Sequence, residues 1–436
     1  MSAFEGRAPG RSQAGPHPKG HEGATRGPGG SADVPIGRGA VITTRYRTRC
    51  TVGDLVDSAA FLTQIRRHLH ERPELSFKEA ATSELVAGYL NGWGYRVTRH
   101  VGGHGVVGSL TRGNGKRSVS LRADMDALPI VEESGLPHAS RHAGVMHACG
   151  HDGHTTMLLG AARHLAAQGN FSGTVHMVFQ PAEEAGRDSG AQRMIADGLF
   201  ERFPCDAIFG LHNHPGVPAG TFLFGSGPFM AASDTVHIAI RGRGGHAARP
   251  HLTVDPVMIA GSLVMALQTV VSRNIDPTQT AVVTIGSLHA GSAANVIPES
   301  ATLALSVRSF SEQVRTRLRE RITELVTLHV QGYGGSVEIT YEIGYPVLVN
   351  SDAQTAFARH VAEALVGPAH VIAPFGPVTG SEDFAYYLQH RPGCFLRLGN
   401  GEHSPMLHNA AYDFDDANLT VGAAYWARLV ESFLAS

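Results

Sequence analysis

The chain has 436 residues, more than one hydrophobic core usually organises, so we expect two domains. It contains 42% hydrophobic and 17% charged residues and has a net charge of −2, the composition of an ordinary globular protein. This charge excludes nucleic acid or an anionic membrane as the main electrostatic partner, and we find no apolar stretch of the roughly 18 residues that a membrane span needs.

The first forty residues contain ten glycines, five prolines and no leucine. Such a composition buries too little apolar surface to offset the entropy of ordering, so we predict a disordered leader over residues 1–45. The N-terminus also lacks the basic and apolar pattern of a secretory signal.

Helical spacing of apolar residues begins near Thr51, and a second helix is predicted over residues 78–91. Short β-rich runs then alternate with helical ones, with strands over 106–110, 118–122, 174–179 and 207–211 and helices over 155–168 and around 191–197. This alternation predicts an α/β domain with a mostly parallel sheet covered by helices on both faces. We assign residues 46–228 to its first part.

Between residues 229 and 344 the predicted order is strand, helix, strand, strand, helix, strand. The predicted strands are 234–241, 281–288, 301–308 and 336–343, and the helices are 255–272 and 311–331. This is the order of a small ferredoxin-like unit, and we interpret it as a second domain inserted into the first. The first domain resumes over residues 345–436 and ends in a helix from about Thr420.

One thiol and three imidazoles lie within the eight residues 147–154. A single glycine separates Cys149 from His151, so both side chains could reach one metal ion if the segment is extended or tightly turned. A surface loop rich in histidine, or a buried cysteine among core histidines, is the alternative. The other three cysteines, Cys50, Cys205 and Cys394, are far apart in sequence, and a chain of this size needs no disulfides. We therefore expect a reducing compartment, the cytoplasm.

Further candidate ligands follow predicted strands, where ligands of parallel sheets gather. Glu183 and Glu184 follow an apolar strand, and two adjacent buried carboxylates repel each other unless a cation compensates them. The alternative is a solvated pair at the start of a helix. His212 and His408 each close an apolar run, and each could instead be a core or loop histidine.

Asp124 and Asp126 follow the strand 118–122. Together with Asp152 they are candidates for carboxylates that orient the ligand imidazoles. Alternatively, Asp124 and Asp126 are charge partners of Arg122.

Taken together, the chain resembles one family from about Leu62 to its C-terminus: the dinuclear metal amidohydrolases that include hippurate hydrolase, bacterial N-acyl-amino-acid amidohydrolases and plant indole-acetyl-amino-acid hydrolases. Six motifs carry the resemblance: RHLHERPELS (67–76), RADMDALP (122–129), MHACGHDGH (146–154), QPAEE (180–184), ANVIP (294–298) and SEDF (381–384). Ser381 departs from the small apolar residue common in relatives, which leaves the acyl group open.

The resemblance implies that Glu183 is the general base and that two divalent ions per subunit have five protein ligands: Cys149, His151, Glu184, His212 and His408. Paired ions can activate a shared water and polarise a carbonyl, and a carboxylate off the metals can pass the proton to the departing nitrogen. The mixed ligand set does not choose between manganese and zinc, and cobalt is also compatible.

The resemblance also implies a role for His246, which follows a glycine-rich turn of the inserted domain. In the family the matching histidine reaches an active site, commonly that of the partner subunit, and stabilises the oxyanion. A homodimer through the inserted domain follows from the same resemblance. Asn295 and Arg308 are candidates for holding the substrate carbonyl and carboxylate, because a guanidinium matches a carboxylate in a two-pronged geometry. Arg308 is otherwise an ordinary exposed strand residue.

The sequence therefore predicts an enzyme that hydrolyses the amide bond of an N-acyl amino acid or a similar small conjugate. A dipeptidase or carboxypeptidase on the same framework is the alternative within enzymes. A non-catalytic protein with one structural metal and a small-acid pocket is the alternative outside them, although a structural zinc site has four ligands and no spare base.

Overall fold

The protein is described by a computed structural model that covers residues 49–435. The predicted leader, residues 1–45, lies outside these residues, so its disorder remains a prediction.

The helices and strands of residues 49–435 are numbered in chain order. The α-helices are α1 (Ala59–His70), α2 (Ala80–Gly92), α3 (His151–Gln168), α4 (Gly190–Ala196), α5 (Leu199–Arg202), α6 (Pro256–Asn274), α7 (Glu312–Gly332), α8 (Asp352–Val366), α9 (Phe384–Leu388) and α10 (Asn418–Phe433). The strands are β1 (Arg96–Val101), β2 (Gly105–Arg112), β3 (Ser118–Asp124), β4 (Gly173–Gln180), β5 (Ala207–His214), β6 (Phe222–Leu223), β7 (Gly227–Met230), β8 (Ala232–Arg241), β9 (Gly245–His246), β10 (Ala281–Ala290), β11 (Val296–Ile297), β12 (Ser300–Ser309), β13 (Ser336–Ile343), β14 (Leu348–Asn350), β15 (Val371–Ile372) and β16 (Gly393–Gly399).

The larger sheet has eight strands in the order β1-β2-β4-β3-β5-β16-β6-β15. Its four central strands, β4, β3, β5 and β16, run parallel to one another. Because the carboxyl ends of parallel strands meet at one edge, the residues that follow β3, β4, β5 and β16 lie close together. This sheet confirms the predicted α/β fold.

Helices cover both faces of the larger sheet because its strands are apolar on both sides. Successive residues of β5 point to opposite faces: Phe209 packs in the core that holds α3 and α10, and Ile208 packs in the core that holds α4 and α9. Helix α10 approaches α3 closely at Gly422, where an added Cβ would lie 2.0 Å from the sulfur of Met157.

The smaller sheet lies within residues 229–344 and has the order β10-β12-β8-β13, with every neighbouring pair antiparallel. Along β8 every second residue is buried, and Val236, Ile238 and Ile240 pack against α6 and α7. The order β8-α6-β10-β12-α7-β13 is that of the predicted ferredoxin-like unit.

Helix α6 is long and apolar enough to cross a membrane by length and composition, so the expectation that no stretch reaches this length is wrong. One such helix is weak support for a membrane span, because core helices of soluble proteins pass the same test. In this fold the face of α6 that carries Ile259, Leu263 and Leu267 packs on the smaller sheet.

Candidate metal centre

Cys149 and His151 lie at the start of α3, on either side of a tight turn at Gly150. Gly150 has a φ of 86°, and an added Cβ would lie 2.3 Å from Nδ2 of Asn213, so the turn requires glycine. The helix begins at His151, four residues before the predicted start. The two candidate ligands are thus held by a helix N-terminus and a rigid turn.

Glu183 and Glu184 follow β4 in a short 3-10 helix, Glu183–Ala185. Ala182, the residue before this helix, has a left-handed φ of 52°, a strained conformation for alanine. The hydroxyl of Tyr345 donates a hydrogen bond to the carbonyl oxygen of Glu183 and accepts one of 2.9 Å from the backbone N–H of Gly186. Tyr345 therefore fixes both ends of the turn that carries the carboxylates.

His212 and His408 come from different parts of the chain. His212 lies near the carboxyl end of β5, and His408 lies in the loop before α10. The backbone N–H of His408 donates a 2.8 Å hydrogen bond to the carbonyl oxygen of Ala148, beside Cys149. His408 is half exposed, with 53% of its side chain accessible, whereas His212 is buried.

The structure brings the five candidate ligands together: Cys149, His151, Glu184, His212 and His408. Cys149 Sγ lies 3.4 Å from His212 Nε2, and His408 Nε2 lies 3.2 Å from Glu184 Oε1. One ligand atom each from Cys149, His151 and His212 lies within 4.8 Å of the other two, and the same holds for Cys149, Glu184 and His408.

Unsatisfied polar atoms in the cluster fit a bound cation. Among the described residues, His151 Nε2 and Glu184 Oε1 are buried and form no hydrogen bond, even though His408 Nε2 lies 3.2 Å from the Glu184 oxygen. Burying such atoms is costly unless another group binds them. His212 is similarly poised, because its Nδ1 is 2.8 Å from the carbonyl oxygen of Asn213 and its Nε2 faces Cys149. Free thiol, imidazole and carboxylate atoms that converge in this way match the ligand preferences of divalent transition metals.

The pKa shifts in the cluster show how burial and the surrounding carboxylates act on the candidate ligands. Burial, followed by the charge of Glu184, raises the pKa of the Cys149 thiol well above its ordinary value, and a cation is the kind of group that reverses such a shift. Burial lowers the pKa of His212 well below its usual range, which leaves a neutral imidazole. For His151 burial acts in the same direction, but Asp124 and Asp126 outweigh it and raise the pKa to about 10.

Asp126 contacts two of the candidate ligands. Its Oδ1 lies 3.3 Å from His151 Nδ1, its carbonyl oxygen lies 2.9 Å from the same nitrogen, and its Oδ2 accepts a 3.0 Å hydrogen bond from the backbone N–H of Glu184. Ser76 donates to the same Oδ2 at 2.7 Å. Asp126 is thus placed to fix the orientation of His151 and of the Glu184 backbone.

Asp124 and Asp152 have different surroundings. Asp124 accepts from Arg122 at 2.7 Å and lies 2.7 Å from Nδ1 of His154, whereas its distance to His151 Nε2 is 3.6 Å. Asp124 therefore pairs with Arg122, as one interpretation made from the sequence expected. Its close imidazole contact is with His154, which is not one of the five candidate ligands, so its role in orienting a ligand stays a prediction.

Asp152 contacts Arg66 at 2.9 Å and His70 at 2.8 Å. Its side chain forms no hydrogen bond with any of the five candidate ligands. The contacts of Asp152 therefore do not match the expectation that it orients a ligand imidazole, because the start of α3 directs the carboxylate toward α1.

Glu183 is buried among other acidic groups. Its carboxylate lies within 4.8 Å of those of Glu382 and Asp383, and both of these accept hydrogen bonds of 2.9 Å from the buried guanidinium of Arg122. Burial, followed by the charges of Glu382 and Glu184, raises the pKa of Glu183 well above its ordinary value. A carboxyl group with a raised pKa can carry a proton near neutral pH, as a general acid or base must.

A cavity of about 690 Å³ opens beside the cluster. Cys149, Glu183, Glu184, His212 and His408 line it, and so does Arg308. Arg308 Nη1 donates a 2.9 Å hydrogen bond to the hydroxyl of Ser381. This volume is large enough for a small amide conjugate.

His246 and Asn295 lie outside the lining of this cavity. His246 lies on β9, and Asn295 lies in the turn directly before β11, where its carbonyl oxygen accepts a 3.1 Å hydrogen bond from the N–H of Ala247. Both residues are exposed. Neither residue belongs to the groups of potential ligands found in the described chain.

Sequence reasoning missed three residues of the site. His154 Nε2 accepts hydrogen bonds of 3.0 Å from both the backbone and the side-chain N–H of Asn213, so His154 supports the strand end beside His212. Tyr345 holds the carboxylate turn, and no local pattern marks it. Arg397 lines the cavity, and its signal is visible: it is one arginine within the otherwise apolar run 394–398.

Comparisons with known proteins agree with this geometry. Residues 120–432 match the family described as Peptidase family M20/M25/M40. The chain is 42% identical over 383 residues to "Hippurate hydrolase" of Campylobacter jejuni, which covers 88% of this chain and 99% of that protein. It is 40% identical over 367 residues to "N-acetyl-L-cysteine deacetylase" of Bacillus subtilis, covering 84% of this chain and 86% of that protein.

Among solved structures, the YXEP protein of Bacillus subtilis, described as a dinuclear metal binding peptidase from the M20 family, matches with a TM-score of 0.74. Its sequence is 32% identical, and the match covers 86% of this chain and 98% of that one. These matches confirm the predicted resemblance to the dinuclear metal amidohydrolases and the prediction of a metal-dependent hydrolase. The chain belongs to peptidase family M20/M25/M40.

Proposed function

We propose that this protein hydrolyses the amide bond of N-acyl amino acids or similar small conjugates, releasing a carboxylic acid and an amino acid. The observation that carries the proposal is the convergence of five potential ligand side chains beside the buried carboxylate of Glu183, with four of the five and Glu183 lining one cavity. The names of the curated relatives, which describe hydrolysis of acylated amino acids, support the same reaction.

The cofactor in this proposal is a pair of divalent ions per subunit, held by Cys149, His151, Glu184, His212 and His408. Cys149 belongs to two of the groups of potential ligands, one with His151 and His212 and one with Glu184 and His408, so its thiol would help to hold the ions in either set. When bound, the ions supply Lewis acidity that polarises the amide carbonyl and makes water a better nucleophile. Manganese and zinc both suit this mixed ligand set, and cobalt is also compatible.

Glu183 is the proposed general base. It would take the proton from the attacking water and deliver it to the amide nitrogen, which is a poor leaving group until it is protonated. Its raised pKa and its position among Glu382 and Asp383 support this proton-carrying role. Tyr345 would keep the carboxylate in place through its hydrogen bond to the Glu183 carbonyl.

Arg308 is the proposed partner of the substrate carboxylate. Its guanidinium lines the cavity and has a hydroxyl, not an acid, as its close partner, so it is available to an anion. Asn295 is the proposed partner of the substrate carbonyl. His246 is proposed to stabilise the oxyanion, and its exposure on β9 supports a reach into the site of a second subunit.

We therefore propose a homodimer formed through residues 229–344, acting as a lid and dimerisation domain between catalytic segments 46–228 and 345–436. The exposed side chains of Val257, Met258 and Met265 give α6 an apolar outer face that supports such an interface. A cytoplasmic location is proposed because the chain's four cysteines are free and buried.

Cleavage of dipeptides or of C-terminal residues is the competing activity on the same framework. The description of the matching family as peptidases supports this alternative. Turnover of N-acetyl, N-benzoyl and dipeptide substrates by protein loaded with manganese, zinc or cobalt separates these activities and selects the metal.

The proposed base is tested by Glu183→Gln, which preserves shape but cannot accept a proton. We expect turnover to fall by roughly 10²–10⁴-fold with unchanged metal content. Glu201→Gln, on the exposed part of α5, is the matched control and should keep full activity. Near-normal turnover in Glu183→Gln would show that another group carries the proton.

A further inference from the structure

Arg397 is a buried cation without an acidic partner among residues 49–435, and it lines the same cavity as four of the candidate ligands. We propose that Arg397 binds a second negative charge of the substrate, so that the preferred conjugates carry two carboxylates. This inference rests on the proposed amide hydrolysis and adds the class of substrate to it.

The side chain of Arg397 is poorly satisfied for its degree of burial. The residue is 4% exposed, and no carboxylate oxygen in residues 49–435 lies within 4.0 Å of its guanidinium nitrogens. Its close partners are Nδ1 of His214 and the sulfur of Met230, each at 3.3 Å, and its Nε has no hydrogen-bond partner. A thioether is a weak acceptor, so two of the three guanidinium nitrogens lack a strong partner.

The other buried arginines of the described chain differ in this respect. Arg66 contacts Asp152, Arg122 contacts three carboxylates, and Arg315 contacts Asp234. These arginines are structural, because each neutralises buried acids. Among the described residues Arg397 has no buried acid to neutralise. A buried charge without a counterion destabilises the unliganded fold, and such unfavourable features are typical of functional sites.

Nearby acids do not already neutralise Arg397. Glu382 is the acid whose charge acts on it most strongly, yet Glu382 Oε1 accepts hydrogen bonds from Arg122 at 2.9 Å and from the N–H of Phe384 at 3.0 Å. Burial lowers the pKa of Arg397 to about 10, so the guanidinium stays protonated at neutral pH.

The position of Arg397 suits a substrate group near the metals. In the larger sheet Arg397 on β16 is the register partner of His212 on β5. Arg308, on β12 of the smaller sheet, lines the same cavity and also has no carboxylate within 4.0 Å in the described chain. An N-acyl derivative of a neutral amino acid has one carboxylate, which Arg308 is proposed to bind. The guanidinium of Arg397 is then left for a second carboxylate.

That carboxylate has two sources, the side chain of the amino acid or the far end of the acyl group. N-acetyl-L-glutamate against N-acetyl-L-glutamine tests the first source, and N-succinyl-L-alanine against N-butyryl-L-alanine tests the second. Each pair differs mainly in one charge. We expect the acidic member of at least one pair to have the higher kcat/KM, and Arg397→Gln to reduce this preference by roughly 100-fold.

Arg187→Gln is the matched control. Arg187 lines the same cavity, but its charge already pairs with Glu342 at 2.8 Å, so its removal should change the preference less than threefold. The melting temperature gives a second readout. A structural arginine destabilises the protein when it is removed, whereas Arg397→Gln should melt at or above the temperature of the unsubstituted protein.

The outcomes separate the two proposals. If the neutral members of both pairs are hydrolysed as well as the acidic ones, or if Arg397→Gln keeps the preference, the inference is wrong while amide hydrolysis stands. If none of the four is hydrolysed, the proposed function fails on these conjugates. The inference is then decided by the dissociation constants of the same four compounds, measured for the unsubstituted protein and for Arg397→Gln. Tighter binding of an acidic member that depends on Arg397 supports it, and equal binding within both pairs overturns it.

Discussion

Asp126→Asn probes how the site holds its ligands without removing any of them. The carboxylate of Asp126 faces Nδ1 of His151 on one oxygen and accepts from Ser76 and the Glu184 backbone on the other. Asparagine has the same shape but presents N–H toward one of these sides. Toward His151, that N–H favours the tautomer whose proton sits on Nε2, the atom proposed to bind metal. If the asparagine N–H instead faces Glu184 and Ser76, it meets two hydrogen-bond donors and both of their bonds to this side chain are lost.

Either orientation weakens metal binding. Loss of such a supporting carboxylate typically costs 10–100-fold in metal affinity, about 1.4–2.7 kcal/mol. The assay is a competitive titration of metal-stripped protein with manganese or zinc against a chelating dye. Asp188→Asn, at an exposed aspartate that pairs with Arg193, is the control and should bind as the unsubstituted protein does. Affinity within twofold of that protein in Asp126→Asn would refute the proposed support of His151.

Three further predictions concern the framework around the site. Arg122→Met leaves three buried carboxylates without their guanidinium. The free energy of unfolding measured by urea denaturation should therefore fall by about 3–5 kcal/mol, and a fall below about 1 kcal/mol would contradict this. Burial lowers the pKa of His70, but hydrogen bonds to two carboxylates outweigh it and raise the pKa from 6.5 to about 9. Protonated His70 therefore stabilises the folded protein; the contribution is full below pH 6.5 and is lost as pH rises through 9. The unfolding free energy of metal-free protein should therefore fall by about 3 kcal/mol more in this interval than that of His70→Asn, and equal slopes would contradict the assignment. Gly422→Ala places a Cβ 2.0 Å from the sulfur of Met157 and should cost about 1–3 kcal/mol in thermal denaturation, whereas Gly88→Ala, with open space around it, should cost nothing; equal melting temperatures would refute the close helix contact.

Local patterns predicted most of the fold because each element carries its own signal. Helix α7 was expected over residues 311–331 and is found over Glu312–Gly332. Its start is marked by Ser311, whose hydroxyl accepts a hydrogen bond from the N–H of Val314. Strand β8 shows the alternating burial expected of a sheet with one packed face.

Elements without such signals were less predictable. Helix α3 begins at His151 and not at residue 155 because its start depends on the turn at Gly150, which tertiary contact with Asn213 imposes. The candidate ligands Cys149 and Glu184 were recognisable because short motifs carry them. The parallel sheet sets the distances between them. The sequence predicts that such a sheet forms but does not predict those distances.

Long-range charge pairing could not be read from the sequence. Arg122 lies 260 residues from Glu382, and nothing local distinguishes this pair from solvated charges. The absence of a described carboxylate within 4.0 Å of the Arg397 guanidinium is likewise a property of the folded chain. Asp152 was expected to orient a ligand imidazole, whereas its carboxylate accepts a hydrogen bond from Arg66, a partner that the sequence does not indicate.

Metal content measures the central claim most directly. The purified chain is stripped, reconstituted with manganese or zinc, freed of excess metal and analysed by elemental mass spectrometry, in parallel with Cys149→Ala and with Cys205→Ala, a buried free cysteine outside the cluster. We predict two ions per chain in the unsubstituted protein and in Cys205→Ala, and the loss of at least one ion in Cys149→Ala. One ion or none in the unsubstituted protein, or equal content in Cys149→Ala, would contradict a paired-metal hydrolase.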